Sequence, residues 1–490
     1  MAIPAETLFL DPRIEGTLQQ QIQQLVAQGI LSGRFQPGEK MPSSRKLAQQ
    51  LGVSRITVTL AYTELLADDY LTSRGRSGYY VSQTAPRTPE FKLPRPAAAS
   101  PVDWNRAIGQ RFAGAPSLRR PEDWRDYKYP FIYGQTDPTL FDHQNWRLCA
   151  VKALGQRDFE ALTADYYERD DPKLIEFIAR HTLPRRGIVA KPEEILVTLG
   201  AQNALWLTAQ VLLNQRRTAV MENPCYPGLR VALEQTRCNT VAVDVDANGL
   251  PPSALPHDID AVFVTPSHHC PSAVTMPLER RQELLKTASE QDFMVVEDDY
   301  EFEMSFLKAP SPALKSLDQE GRVIHVGSFS KSLFPGLRLG YLVGSEPFIR
   351  EARALRAAIL RHPPGHIQRT AAYFLSLGHY DALIRRMGRA YHERRQIMET
   401  AICDNGLTIA GSNSFGGSSI WMQAPDHVDT LHLARTLREE SVLIEPAQSF
   451  FIQDNPPANF YRLGYSSISA ERIPEGISLL AKAMNDARNT

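Results

Sequence analysis

The chain has 490 residues, of which 43% are hydrophobic and 22% charged, a composition typical of soluble globular proteins and too long for one ordinary core. Its net charge of -1 excludes a protein that coats nucleic acid or membrane by charge alone, although a local basic patch stays compatible with it. The five scattered cysteines form no CxxC pair, and no apolar run reaches the length of a membrane span. We therefore expect a cytoplasmic protein of two or three domains, with no zinc site and no disulfide framework.

The first predicted elements are three helices. Apolar residues recur at helical spacing over residues 17–31, with Leu18 in the stripe. A short helix over residues 44–50 ends at Gly52, and Ser54 caps another. That last helix has a buried stripe of Val58, Ala61, Tyr62 and Leu65. Two short helices joined by a glycine turn predict a helix-turn-helix.

Two short strands follow, at residues 70–71 and 79–81, joined by a glycine-rich turn that carries Arg74 and Arg76. This pattern completes a winged helix-turn-helix. Arg55 and Thr57 lie near the N-terminus of the second helix of the motif, where such helices contact base edges. Without the wing, chance spacing in any three-helix segment would explain the pattern equally well.

The sequence from Met41 to Val81 resembles the GntR-type winged-helix domain over nearly its whole length. The resemblance implies binding to promoter DNA, at direct repeats or half-sites. The implied contacts are Ser44, Arg45, Arg55 and Thr57 in the helices, with Arg76 and Gly78 at the wing tip. Residues 1–82 carry eight Lys and Arg against seven Asp and Glu, a net of +1, so affinity must depend on placed charges and on dimerisation.

Residues 83–124 are rich in Pro, Ala, Arg and Ser and are predicted to form a linker between this domain and the rest. We expect its flexible part at residues 82–101. The second half carries three aromatic residues, Trp104, Phe112 and Trp124, which would anchor it to the larger domain.

The remaining chain alternates short apolar strands with helical patterns, which predicts an α/β domain with a mainly parallel sheet and helices on both faces. We assign residues 125–355 to this large domain and residues 356–490 to a small α+β subdomain. The predicted strands of the sheet are residues 195–198, 219–222, 240–243, 261–265, 293–297, 323–326 and 340–343. In the small subdomain, strands are predicted at residues 419–422, 442–445 and 461–465.

Polar residues follow several of these strands. Small residues in LGAQNAL, residues 199–205, leave the N-H groups of Ala201 and Gln202 free at a helix N-terminus, where phosphate binds. FMVVEDDY, residues 293–300, ends a strand in carboxylates and a tyrosine, which suits either a protonated pyridine or Mg²⁺.

One lysine stands in a similar position. In GSFSKSLFPGLRLGY, residues 327–341, Lys331 follows a buried strand and can form a Schiff base with an aldehyde. Ser328, Ser330 and Arg338 lie close enough in sequence to hold a phosphate. On its own, this stretch is equally compatible with a serine-rich loop and a solvated lysine.

Together, the two stretches resemble the signature of fold-type I enzymes that use pyridoxal 5'-phosphate. The resemblance implies that Lys331 carries the cofactor, Asp298 pairs with its ring nitrogen and Tyr300 contacts its ring hydroxyl. It also implies that Tyr226, in ENPCYPG, packs on the ring. Aminotransferases typically have asparagine where this chain has Cys270, which weakens the expectation of efficient transamination.

Arg462, in YRLGYS, matches the arginine that binds the anionic group of amino substrates in this superfamily. A winged helix, a linker and an aminotransferase-like domain in one chain resemble the MocR subfamily of bacterial regulators. The resemblance implies a head-to-tail homodimer with no catalytic residues in use, which senses a small amino compound through an external aldimine. The effectors of the subfamily include γ-aminobutyrate, taurine, an ectoine-derived amino acid, D-alanine and pyridoxal phosphate. Two alternatives are an aminotransferase with an accessory DNA-binding domain and a DNA-binding module that has lost its cofactor.

Overall fold

The computed structural model describes residues 2–10, 16–86, 102–113, 120–165, 169–309, 311–411, 416–453 and 455–486. The chain divides into two compact units, Met1–Arg111 and Phe112–Thr490. The division falls inside the predicted linker at residues 83–124.

The first unit is a winged helix-turn-helix. Side chains cap its helices: Thr17 and Gln20 form a capping box, and the Ser43 and Ser54 hydroxyls each accept a backbone N-H in the first helical turn. Gly52 ends the second helix in the left-handed region, with φ of 67°. The elements are α1 (Leu18–Leu31), α2 (Ser44–Leu51), α3 (Arg55–Ala67), β1 (Leu71–Ser73), β2 (Tyr79–Val81) and the short α4 (Trp104–Ala107).

Some boundaries in this unit differ from the prediction. Strand β1 begins at Leu71 and not at Tyr70, because its register with β2 pairs Leu71 with Val81. Leu18 is exposed at the start of α1 and does not belong to the buried stripe, whereas the stripe predicted for α3 is buried throughout. Trp104, predicted as an anchor, is 60% exposed.

The second unit contains a seven-stranded sheet in the order β4-β10-β9-β8-β7-β5-β6. The strands are parallel except β10, which is antiparallel to both of its neighbours. The mainly parallel sheet is thus confirmed, with strand ends shifted by one or two residues. The strands are β4 (Ile195–Thr198), β5 (Thr218–Asn223), β6 (Asn239–Asp244), β7 (Ala261–Val264), β8 (Met294–Asp298), β9 (Val323–Ser328) and β10 (Gly340–Val343); β3 (Tyr129–Pro130) precedes them.

Helices pack against this sheet through two apolar clusters, because its central strands are buried along their length. In chain order the helices of this unit up to its C-terminal part are α5 (His143–Ala153), α6 (Gln156–Thr163), α7 (Pro172–Phe177), α8 (Ala201–Leu212), α9 (Pro227–Thr236), α10 (Leu278–Gln291), α11 (Leu314–Leu317), α12 (Glu346–Leu360), α13 (Gly365–Ser376) and α14 (His379–Asp404). Helices α8, α9 and α12 contribute to one of the two clusters and α10 and α11 to the other, whereas α5, α7, α13 and α14 belong to a third cluster shared with the C-terminal part.

The C-terminal part adds an antiparallel sheet in the order β11-β12-β15-β14. The predicted strand at residues 442–445 is two strands: β13 pairs with β3, and β14 pairs with β15, so the chain changes sheets at Ile444. The elements are β11 (Thr408–Ile409), β12 (Ser419–Gln423), α15 (Thr430–Glu439), β13 (Val442–Leu443), β14 (Glu445–Pro446), β15 (Phe460–Gly464) and α16 (Ile473–Asp486).

The aromatic residues expected to anchor the second half of the linker differ in burial within this unit. Trp124 is buried beside Ile132 and Leu443, whereas Phe112 is 62% exposed. Among the described residues, no helix is long and apolar enough to cross a membrane.

Candidate functional site

The predicted cofactor residues lie at one edge of the sheet in the second unit. Lys331 follows β9, Asp298 ends β8, Tyr226 follows β5 and Gly200 follows β4. These strands run parallel, so their carboxyl ends meet at the same edge, where ligands of open α/β sheets bind. The sheet therefore brings together residues that are far apart in sequence.

Lys331 is half-buried at this edge. Its Nζ lies 4.2 Å from the centre of the Tyr133 ring, and burial lowers the pKa of Lys331 to about 8. Gly134, the residue after Tyr133, has φ of +80°, and a Cβ there would collide with Lys331 Nζ. A larger share of neutral amine near neutral pH makes Lys331 a better nucleophile toward an aldehyde than an exposed lysine.

Asp298 is a buried carboxylate with an unused oxygen. Its Oδ1 has no hydrogen-bond partner within the part of the chain that the structure describes. Burial and then the neighbouring Asp299 charge raise the pKa of Asp298 to about 7. A buried carboxylate costs free energy unless a cation or donor meets it. The unused oxygen therefore fits a protonated pyridine nitrogen.

The three carboxylates of the Glu297–Asp299 run point to different partners. Glu297 accepts hydrogen bonds from the backbone N-H of Leu314 and contacts His325, while Asp299 accepts a bond from Arg186 Nε at 2.6 Å. The described residues contain no group of three or more potential metal-ligating side chains suited to a metal ion. Because these carboxylates have different partners, they do not converge on one point, as binding of Mg²⁺ by the run would require.

A phosphate-sized anion would find donors around Gly200, whose φ is +82°. Helix α8 begins directly after it at Ala201 with no side-chain cap, which leaves the first N-H groups of the helix, including that of Gln202, for a ligand. A Cβ on Gly200 would lie 3.4 Å from Arg338 Nη2 and 3.6 Å from Ser330 Oγ, so both side chains converge there. Ser330 Oγ is buried and unpaired within the described ranges.

Two of the predicted contacts also have structural roles. Ser328 Oγ accepts the backbone N-H of Ser330 at 3.2 Å, so it shapes the loop before Lys331. Gln202 Nε2 donates to the carbonyl of Gly228 at 2.9 Å, which ties the start of α8 to the segment that carries Tyr226. A Cβ on Gly228 would collide with both the Gln202 and Tyr226 side chains, so this packing requires glycine.

Tyr226, Tyr300 and Cys270 form an apolar wall with Trp421 and Phe450. Tyr300 Oη donates to the carbonyl of His268 at 2.9 Å, so its hydroxyl is already anchored. Burial raises the pKa of the Cys270 thiol to about 11 and lowers the pKa of His268 to about 4, as it does for its neighbour His269. These groups are therefore neutral near pH 7, and His269 is additionally held by Ser272 Oγ.

Arg462 lies on β15, buried and enclosed by groups that the sequence did not indicate. Its Nε donates to Glu445 at 2.9 Å, and its guanidinium lies 4.0 Å from the Tyr133 ring and 4.8 Å from the Phe450 ring. Burial alone would lower the pKa of Arg462, but the Glu445 carboxylate raises it above the usual value. Nη2 has no hydrogen-bond partner in the described portion of the chain and is thus available to an anion.

The remaining candidate residues lie in the first unit. Ser44 and Arg55 begin α2 and α3, and Arg55 Nε donates to Ser44 Oγ at 3.4 Å; Arg45 is exposed beside them. Thr57 is only half-exposed, and its hydroxyl bonds that of Ser54 at 2.8 Å. The Thr57 hydroxyl, predicted to contact DNA, therefore also takes part in the helix cap.

The wing tip contains the turn Gly75–Ser77, which includes Arg76, and Gly78 with φ of 102°. Arg74 stacks on the Tyr80 ring at 4.5 Å. Ile56, in the first turn of α3, was not predicted as a contact although its side chain is 72% exposed. In the sequence, Ile56 could have been noticed as an apolar residue between two predicted DNA contacts, Arg55 and Thr57.

Comparisons with known proteins divide the chain in the same way. Residues 18–81 match the family "Bacterial regulatory proteins, gntR family", and residues 138–480 match "Aminotransferase class I and II". Among solved structures, the α-aminoadipate aminotransferase LysN from Thermus thermophilus shares 27% identity and a TM-score of 0.70, covering 79% of this chain and all of that one. The Pyrococcus horikoshii kynurenine aminotransferase shares 26% identity and a TM-score of 0.67, covering 75% of this chain and 95% of that one.

Full-length relatives are transcriptional regulators. The HTH-type transcriptional regulator TauR of Rhodobacter capsulatus is 59% identical over 99% of this chain and 100% of its own. The probable rhizopine catabolism regulatory protein MocR of Rhizobium meliloti is 30% identical over 97% of this chain and 95% of its own. The fold and these relatives define a class of regulators in which a DNA-binding winged helix is joined to an aminotransferase-like domain. The chain belongs to the MocR subfamily of gntR-type transcriptional regulators.

Proposed function

We propose that this regulator binds pyridoxal 5'-phosphate at the sheet edge and senses a small amino compound there, without completing a catalytic cycle. The observation that carries the proposal is that Lys331 and the unused Asp298 oxygen lie near each other at the carboxyl ends of neighbouring strands, where Ser330 and Arg338 both approach Gly200. When bound, the cofactor supplies an aldehyde that exchanges amines and a pyridine ring that withdraws electrons.

The chain's own residues would divide the binding between them. Lys331 provides the amine, and Asp298 holds a proton at the ring nitrogen. Arg338, Ser330 and the start of α8 at Ala201 and Gln202 hold the phosphate. Tyr226 packs on the ring, and Tyr300 faces the ring hydroxyl while its own hydroxyl is anchored to His268. This set supplies an amine, a partner for the ring nitrogen and donors for the phosphate, which argues against a module that has lost its cofactor.

Arg462 is proposed to bind the anionic group of the effector. It is buried, held by Glu445 and two aromatic rings, and keeps Nη2 unpaired among the described residues. A charged donor in a desolvated pocket binds an anion more strongly than it would in water. The effector is then an amine joined to an acidic group, a chemistry shared by several effectors of this subfamily.

The winged helix is proposed to bind promoter DNA at repeated half-sites, as part of a homodimer. Arg55 and Ile56 at the start of α3 would read bases, whereas Ser44, Arg45, Arg76 and Gly78 would contact the sugar-phosphate backbone. Exposed apolar side chains in the second unit support dimerisation: Leu148, Val151, Leu154 and Phe159 are each more than half exposed.

The test is a screen of amines against the purified, cofactor-loaded protein. Each amine is followed by the visible spectrum and by the mobility of a fragment of the chain's own upstream DNA. We expect an amino acid with a terminal acidic group to change both signals together. If no amine in a broad panel changes either signal, the proposal is wrong.

The same cofactor-binding residues also favour a second candidate, an aminotransferase with an accessory DNA-binding domain. Steady turnover of an amino donor and a keto acid separates the two functions. A regulator needs only a long-lived complex with its effector, so we expect no sustained turnover. Turnover at rates typical of enzymes, on the order of 1 per second or faster, would instead support the aminotransferase.

A further inference from the structure

Arg462 and Glu445 form a neutral pair inside the pocket. The two residues face each other across neighbouring strands, since β14 pairs Glu445 with Arg462 of β15. The carboxylate takes the Nε side of the guanidinium at 2.9 Å. Cys270 Sγ lies 3.9 Å from Nη1. An incoming anion therefore meets the Nη1 and Nη2 end of the guanidinium, with a carboxylate already bound on the other side.

A second acidic residue, Glu301, lies near these charges. Glu301 is buried and accepts a short hydrogen bond from Ser418. Burial raises the pKa of Glu301 above its usual value, and the nearby charges of Lys331 and Arg462 oppose this rise. The anion site thus contains one guanidinium paired with Glu445, and the other cation beside it is Lys331, whose amine the proposed function assigns to the cofactor.

We propose that Glu445 is a specificity-determining residue that restricts the effector to amino compounds with a single negative charge on the acidic group, a carboxylate or a sulfonate, and rejects dianions such as phosphonates. The inference rests on the proposed function of the pocket. The first negative charge of an effector is attracted by Arg462, but a second would lie near the Glu445 carboxylate, which already occupies the other side of the same guanidinium. Two like charges about 6 Å apart at an effective dielectric constant near 20 change a binding constant roughly hundredfold.

The experiment uses the full-length, cofactor-loaded protein and nine probes: ω-amino alkyl chains of two, three and four carbons, each ending in a carboxylate, sulfonate or phosphonate. Dissociation constants come from calorimetry, with DNA mobility as a second readout. The comparison is made among the three probes of the alkyl chain length that binds best. For these, the dissociation constant of the sulfonate or carboxylate from wild-type protein should be more than tenfold lower than that of the phosphonate. A wild-type protein that binds the phosphonate equally well overturns the inference.

The variant Glu445→Gln keeps the shape of the side chain and removes its charge. We expect it to reduce the preference for monoanions by at least tenfold. Glu445→Asp, which retains the charge, should preserve the preference. Glu439→Gln is the matched control, since it removes an exposed charge from α15 and should leave the ratio within twofold of wild type. If the ratio of monoanion to phosphonate affinity in Glu445→Gln stays within twofold of the wild-type ratio, the inference is contradicted.

A measurement on the wild-type protein remains decisive if Glu445→Gln fails to fold. The phosphonate gains its second charge as pH rises through the neutral range, whereas the sulfonate stays a monoanion. The ratio of phosphonate to sulfonate affinity should therefore fall with rising pH, and a constant ratio would refute the role of Glu445. Failure of the proposed function looks different, because then none of the nine probes, nor any other amine, would bind.

Discussion

The two units of this protein hold their functional side chains in opposite ways. In the winged helix, Arg45, Arg55 and Ile56 are exposed and placed by local features, namely the serine caps of α2 and α3. In the aminotransferase-like domain, Asp298 and Arg462 are buried, Lys331 is half-buried, and all three are placed by strands that are distant in sequence. Buried charges interact strongly and cost much when left unpaired, whereas exposed ones interact weakly. Substitutions should therefore have larger effects in the pocket than on the DNA-binding surface.

The largest effect is expected from Arg462→Gln. Removing a desolvated charged partner costs about 2 to 5 kcal/mol of effector binding, which raises the effector concentration needed by more than tenfold. The visible band of the bound cofactor and basal DNA binding should persist. A titration with an inducing amine, followed by absorbance and DNA mobility, measures the shift. The exposed Arg435→Gln serves as the matched control, and an unchanged midpoint for Arg462→Gln would place the anion elsewhere.

Asp298→Asn should change the pH dependence of stability in the cofactor-free protein. The folded pKa of Asp298 is about 7, above the usual aspartate value of 3.8, so the folded state binds more protons between these values and its stability falls as pH rises. The difference is on the order of 4 kcal/mol. The asparagine variant lacks this contribution, so its melting temperature should fall less between about pH 5 and pH 8.

Thermal unfolding followed by circular dichroism at several pH values makes this comparison. The same variant should bind the cofactor more weakly, since the ring nitrogen loses its charged partner. If the wild-type and Asp298→Asn proteins lose stability in parallel as pH rises, Asp298 is not the buried titrating carboxylate.

Arg55→Ala should have a smaller effect, about 1 to 3 kcal/mol at a specific DNA site, together with loss of discrimination between bases. Arg76→Ala should instead weaken binding evenly across sequences and lower its salt dependence. Binding titrations with the upstream fragment and a scrambled fragment separate the two patterns. An unchanged footprint for Arg55→Ala would mean that α3 is not the recognition helix.

The smallest expected effect concerns Ile56. An exposed apolar side chain at the start of a recognition helix suits the C5-methyl group of thymine, a contact of about 1 kcal/mol. Replacing each dT of the operator by deoxyuridine removes that methyl group alone. One such replacement should weaken wild-type binding and leave Ile56→Ala unaffected. Equal losses for both proteins at every position would contradict the contact.

The same contrast explains what the sequence could predict. The caps, glycine turns and apolar stripes of the winged helix are local, and most of its elements matched the prediction. The positions of Lys331 and Asp298 were predictable as well, because Asp298 ends an apolar strand and Lys331 lies in the loop after another. Tyr133 and Glu445 were not: Tyr133 lies about 200 residues before Lys331, and Glu445 reaches Arg462 only through the pairing of β14 with β15.

Smaller errors have similar causes. The apolar residues at 442–444 continue into Glu445 without a turn signal, so the sequence pattern did not indicate that the chain changes sheets at Ile444. Thr57 has the residue type of a DNA contact, but its distance from Ser54 also suits a helix cap, and the hydrogen bond between the two hydroxyls shows the second role.

The central claim is that Lys331 holds the cofactor in a pocket used for sensing. Reduction of the cofactor-loaded protein with borohydride, followed by peptide mapping, tests it most directly. We predict that the label is found on Lys331 and that Lys331→Ala loses the visible band while retaining its circular dichroism spectrum and basal DNA binding. The exposed Lys286→Ala should behave as wild type. Label on any other lysine, or an intact band in Lys331→Ala, would contradict the account.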